Sequence, residues 1–76
     1  MTIDQLQPGQ QGIITKVNCS DDWIQRLMVL GLVEGAHIKY IGAGVGGDPL
    51  EIRLFGSSMA IQRKHAKQFM VDIKND

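Results

Sequence analysis

At 76 residues the chain has room for one domain, residues 1–76, and none for a two-domain enzyme cleft: a domain of this size buries only about 60% of the surface its unfolded form exposes. A content of 43% hydrophobic and 21% charged residues excludes a disordered chain, and eight basic against eight acidic residues exclude the bulk positive field that gathers nucleic-acid phosphates. Cys19, the single cysteine, forbids an internal disulfide, no apolar run approaches the ~20 residues that span a bilayer, and the N-terminus carries no secretory pattern. A cytoplasmic protein without direct membrane insertion is the expectation.

The chain opens with Thr2 as a possible cap and apolar Ile3 and Leu6 three apart, which predicts one helical turn stopped by Pro8 and Gly9. Gly12 to Val17 is rich in β-branched residues and predicts a strand, although alternation alone leaves open whether Ile13 or Ile14 faces inward. Ser20 as N-cap, Asp21 and Asp22 at the positive end of the dipole, and Ile24, Leu27, Met28 and Leu30 at helical spacing predict a helix over residues 21–30. Gly31 suits the left-handed residue that ends it, and Leu27 and Leu30 are assigned to core packing.

Ala36 to Ile41 alternates as a half-buried strand, as does Leu50 to Leu54, with Glu51 and Arg53 pointing to solvent. Gly56 and Ser57 turn the chain into a further strand from Met59 to Gln62. Lys64 to Gln68 then reads as a turn or single helical turn, and Phe69 to Ile73 as a closing strand. Five short strands with one inserted helix predict a mainly β fold, the sheet curling into a small closed barrel that hides its edges.

The stretch from Gly42 to Pro49 fits the spacing G-x-G-x-x-G of a dinucleotide loop. Such a loop needs a helix immediately after the glycines, whose N-terminus holds the pyrophosphate. Here Asp48-Pro49 leads into the alternating Leu50–Leu54 pattern, so the glycines are assigned to the geometry of a flexible hairpin tip. Val45, isolated among them, is either a casual exposed apolar residue or a contact point for a partner.

Four motifs in order, Leu6/Gly9/Gly12, then Arg26 to Ile38 (RLMVLGLVEGAHI), then Gly47 to Leu54 (GDPLEIRL), then Ala60 to Val71 (AIQRKHAKQFMV), resemble the FeoA family across nearly the whole chain. The resemblance implies an SH3-like barrel with a helix inserted between the first two long strands. It also implies a cytoplasmic accessory protein of ferrous iron transport, which binds and modulates a GTP-dependent ferrous iron permease of the inner membrane. The same barrel occurs in iron-dependent repressors, so a stand-alone regulatory domain that binds a protein or peptide segment is the alternative. The chain departs from the family in its glycine-rich loop and at Gln62.

Transition metal ion binding by this chain itself has thin support, because Cys19, His37 and His65 fall into no ligand spacing and both histidines read as solvated. No serine or cysteine has a base and orienter, so no catalytic residue, cofactor or enzymatic activity is expected. Arg63, Lys64, His65 and Lys67 form a local positive cluster for which a solvated turn is the simpler reading. Protein binding is what such a module supports: Trp23 and Met28 on the helix, Gly31 and Leu32 after it, and Val45 are the candidate partner-binding residues. Leu32 is the leading contact, while Trp23 serves equally well as a cap on the barrel end.

Overall fold

The structure, a computed structural model, describes residues 1–19 and 21–74. Five antiparallel strands, β1 (Gln11–Val17), β2 (His37–Ala43), β3 (Leu50–Leu54), β4 (Ser57–Ile61) and β5 (Phe69–Ile73), form one sheet in the order β4-β3-β2-β1-β5. Helix α1 (Asp22–Val29) lies between β1 and β2, and the single-turn helix α2 (Arg63–Ala66) between β4 and β5. A 3-10 turn at Ile3–Gln5 precedes β1, and the side chain of Gln5 accepts the Thr2 amide at 2.8 Å.

Alternation decides what each strand buries. Leu50, Ile52 and Leu54 face the core from β3, while Ile38 and Tyr40 do so from β2. In β1 it is Ile14 that enters the core and Ile13 that stays at its margin. Register shifts after Ile14 and after Tyr40 insert one extra residue each, and bulges of this kind bend the strands that carry them. The sheet therefore curls around a core that also takes in Ile3, Ile24, Leu32, Ile61 and Phe69.

The curl does not close. The hydrogen-bonded ladder ends at β4 on one side and β5 on the other, so the expected closed barrel is an open one. The chain leaves β4 through α2, whose His65 and Ala66 are buried, and reaches β5 without the two strands pairing. The free edge of β5 is partly covered by the N-terminus, through a bridge between Thr2 and Met70 and the Val71 amide donating to the Met1 carbonyl at 2.8 Å. Among the described residues no strand pairs with the outer edge of β4.

The predicted cap Ser20 lies outside the described residues. Asp21 caps α1, its carboxylate accepting the Ile24 amide at 3.1 Å. At the other end the Leu32 amide donates to the Leu27 carbonyl at 3.1 Å and the Gly31 amide to the Met28 carbonyl at 3.0 Å, the two bonds of a Schellman motif.

Candidate functional site

The Schellman geometry reverses the expected roles of two leucines. The motif turns the second residue past the cap back against the last helical turn. Leu32 accordingly sits at 0% exposure in the core beside Leu27, and it is not available as a direct contact. Leu30, assigned from spacing to the core, is the cap residue and stands 63% exposed. On a helix of 3.6 residues per turn it shares a flank with Trp23, seven positions earlier, a flank that borders the buried stripe of Ile24 and Leu27.

Phe55 is the residue that sequence reasoning missed. It occupies the two-residue connection between β3 and β4, where Leu54 pairs with Ser57 and both Phe55 (φ 52°) and Gly56 (φ 78°) are left-handed. Such a turn favours Asn-Gly or Asp-Gly, and a bulky aromatic at positive φ is an outlier. The ring is nonetheless 78% exposed and lies over the helix end: a Cβ at Gly31 would stand 2.8 Å from its Cε2. With φ at 113°, Gly31 is required both for the backbone reversal and for this close approach. Leu30 and Phe55 thus form one exposed apolar surface, held in place by the helix cap and a strained hairpin.

The other candidates fall at different places. Met28 is half-buried and packs against the core. Trp23 is more than half exposed; its ring stacks on that of His65 with centroids 5.9 Å apart, and the Arg26 guanidinium lies 5.0 Å from it. His65 is therefore buried against an aromatic instead of solvated, whereas His37 is exposed on β2. Val45 is fully exposed at the far tip of the β2–β3 connection. The structure brings Gly31 and Leu30 together with Phe55, and Trp23 onto the same helix flank, but leaves Val45 apart.

The positive cluster also resolves into different roles. Arg63 is no free cation: its Nε donates to the Gly47 carbonyl at 2.9 Å and its Nη1 to the Asp4 carbonyl at 3.3 Å, while its backbone amide donates to the Asp48 carboxylate at 3.0 Å. The glycine connection is a tied loop with a short 3-10 turn at Val45–Gly47, followed by strand β3 and by no helix. Among the described residues no three of His, Cys, Asp and Glu stand together as metal ligands, and no helix is long and apolar enough to cross a membrane.

A curled five-stranded sheet with a helix between its first two strands is the SH3-like architecture. The FeoA domain family matches residues 1–73, and the chain belongs to that family. It is 25% identical over 73 residues to the protein assigned as Fe(2+) transport protein A of Campylobacter jejuni, covering 96% of this chain and 99% of that one. Among solved structures, Chlorobium tepidum FeoA is 32% identical with a TM-score of 0.86, over 96% of this chain and 70% of that one. Stenotrophomonas maltophilia FeoA, a prokaryotic SH3 domain protein in complex with zinc, is 29% identical with a TM-score of 0.83, over 95% and 89%. In longer chains the fold is one part: this chain spans 45% of the Clostridium thermocellum iron(II) transport protein A (22% identical, TM-score 0.89) and 34% of T. acidophilum IdeR (25% identical, TM-score 0.85).

Proposed function

We propose that this domain is a cytoplasmic accessory protein of ferrous iron uptake, which docks on a GTP-dependent ferrous iron permease of the inner membrane and modulates it without catalysing a reaction. Membership of the FeoA family and the Fe(2+) transport assignment of the Campylobacter relative support the iron system as its setting. The observation that carries the docking reading is the exposed pair Leu30 and Phe55, the second kept in a strained backbone conformation at the tip of a hairpin. Strain held at an exposed aromatic marks a place where stability is given up for contact.

Leu30→Asp and Phe55→Asp place charges on this surface without entering the core. Each is expected to leave circular dichroism native and unfolding within about 0.5 kcal/mol of the parent, as surface substitutions do, while abolishing co-purification with the permease from detergent-solubilised membranes. Retained co-purification by both variants would overturn the site. Leu32→Asp, by contrast, unfolds the domain and says nothing about docking.

A second reading, a stand-alone regulatory domain, is favoured by the likeness to part of IdeR. It differs in its partner: the same pull-down then returns a repressor or peptide segment in place of the permease.

A further inference from the structure

Two clefts lie between α1 and β4, and their linings follow one another along the strand. One, of about 300 Å³, is lined by Leu54, Phe55, Ser57, Ser58 and Met59 with Leu30 from the helix. The other, of about 200 Å³, is lined by Ala60, Ile61 and Gln62 with Trp23, Leu27 and His65. Every residue of β4 borders this groove, and the helix supplies Trp23, Leu27 and Leu30, spaced four and three apart and hence on one flank.

Along the groove runs the unpaired edge of β4. A free edge offers a row of backbone donors and acceptors, and proteins ordinarily guard it with lysine, proline, a bulge or a covering segment. The edge of β5 has such a cover in the N-terminal residues. The sequence of β4, Ser57-Ser58-Met59-Ala60-Ile61, has no charge and no proline, and its pairing with β3 runs without a register shift. Five residues of strand, about 17 Å, are left with apolar walls and an open ladder.

The solvent face of the sheet gives the occupant its charge. Lys39 stands directly opposite Arg53, two like charges in register, and the next position across is the short, uncharged Ser58. Like charges directly opposite are unfavourable, and a carboxylate beside Ser58 would offset them. Glu51 stands opposite Ala60, so the acid is wanted at Ser58 and not two residues on.

We propose that this groove takes an extended segment of a partner protein as a sixth strand on β4, its apolar residues alternating inward against Leu27, Leu30 and Met59 and an acidic residue outward beside Ser58 and Arg53. This deepens the docking reading by naming the partner segment's chemistry. Its test uses a synthetic strand and not the permease, so the two can fail separately.

The probe is an end-capped peptide of seven residues with valine at the odd positions, threonine at the second and sixth, and glutamate at the fourth; its control has lysine at the fourth. Titrated into the ¹⁵N-labelled protein, the glutamate peptide should shift the Ser57–Ile61 amides saturably, slow their hydrogen exchange, and bind about fivefold more tightly than the lysine peptide. Arg53→Glu should reverse that preference, and Ser58→Asp, on the edge itself, supplies the same reversal if Arg53→Glu loses stability. Absence of saturable shifts at millimolar peptide, shifts confined to Val29 and the outer face of α1, or β4 shifts that depend on protein concentration without peptide would each overturn the proposal. The last outcome would give the edge to a second copy of this chain.

Discussion

Strand β3 is entered and left by two connections that invert their appearance in the sequence. The Gly42–Pro49 loop has the look of a ligand motif, yet it is a structural reversal whose carbonyl at Gly47 and carboxylate at Asp48 are both tied to Arg63. The two-residue turn at Phe55 and Gly56 looks like simple punctuation, yet it holds an exposed aromatic at positive φ over the end of α1. Glycines satisfy a backbone demand and by doing so remove strain. A phenylalanine in the same backbone region keeps the strain, and that local inconsistency is the stronger sign of a surface selected for contact.

The contrast breaks most readily at the tied loop. Arg63→Ala removes the side-chain bonds to the Gly47 and Asp4 carbonyls and frees the N-terminal turn from α2, while the loop keeps only the bond from the residue-63 backbone amide to Asp48. Bonds to a charged donor are worth more than neutral ones, so a loss of about 2–3 kcal/mol in urea unfolding is expected. If the loop is structural, a partner that docks at Phe55 should still bind the folded fraction with unchanged affinity. Next in size is Gly31→Ala. An alanine at φ 113° is strained, and its Cβ would push the Phe55 ring aside, which is possible because that ring is exposed at its far edge. A cost of about 1–2 kcal/mol by thermal denaturation, together with weakened partner binding, is the expected pair of outcomes.

Most of the fold was legible because its strands obey period two. Leu50-Glu51-Ile52-Arg53-Leu54 alternates without a fault, and the structure buries and exposes those residues in turn. Period counting failed at α1, where Leu30 and Leu32 exchanged roles. Spacing describes a helix only up to its cap, and beyond Gly31 the reversal of the chain decides which side chain turns inward. The signal was present: a glycine in the position after the cap with a leucine following it is the apolar signature of a Schellman motif. His65 and Arg63 were misread for another reason. Their partners, Trp23 and the carbonyls of Gly47 and Asp4, lie 42, 16 and 59 residues away, and no local pattern carries such contacts. The open edge of β4 was equally hidden, since which strands end a sheet is a property of topology.

Phe55→Asn sharpens the comparison because stability and binding should move in opposite directions. Asparagine is at home in the left-handed region and at the first position of a Phe55–Gly56 type of turn, while little apolar burial is lost from a ring already 78% exposed. A gain of about 0.5–1 kcal/mol in unfolding free energy is expected, with loss of co-purification. A variant that was both less stable and still bound would mean that the ring is a structural cover for Gly31 and not a contact.

The smallest effect belongs to Val45. Its side chain is fully exposed at the tip of the tied loop, so Val45→Ser removes no packing and should change stability by less than about 0.5 kcal/mol. Its value lies in binding. The loop tip is on the far side of β3 from the Phe55 turn, because the two connections leave opposite ends of the same five-residue strand, about 17 Å apart. A partner strand seated in the groove beside β4 would run from the Phe55 end toward Gln62, and Gln62 is next to Arg63, which holds the loop. Unchanged affinity in Val45→Ser would confine the interface to the groove, whereas a severalfold loss would extend it past the end of β4 onto the glycine loop and give that valine a purpose that its isolation among glycines does not.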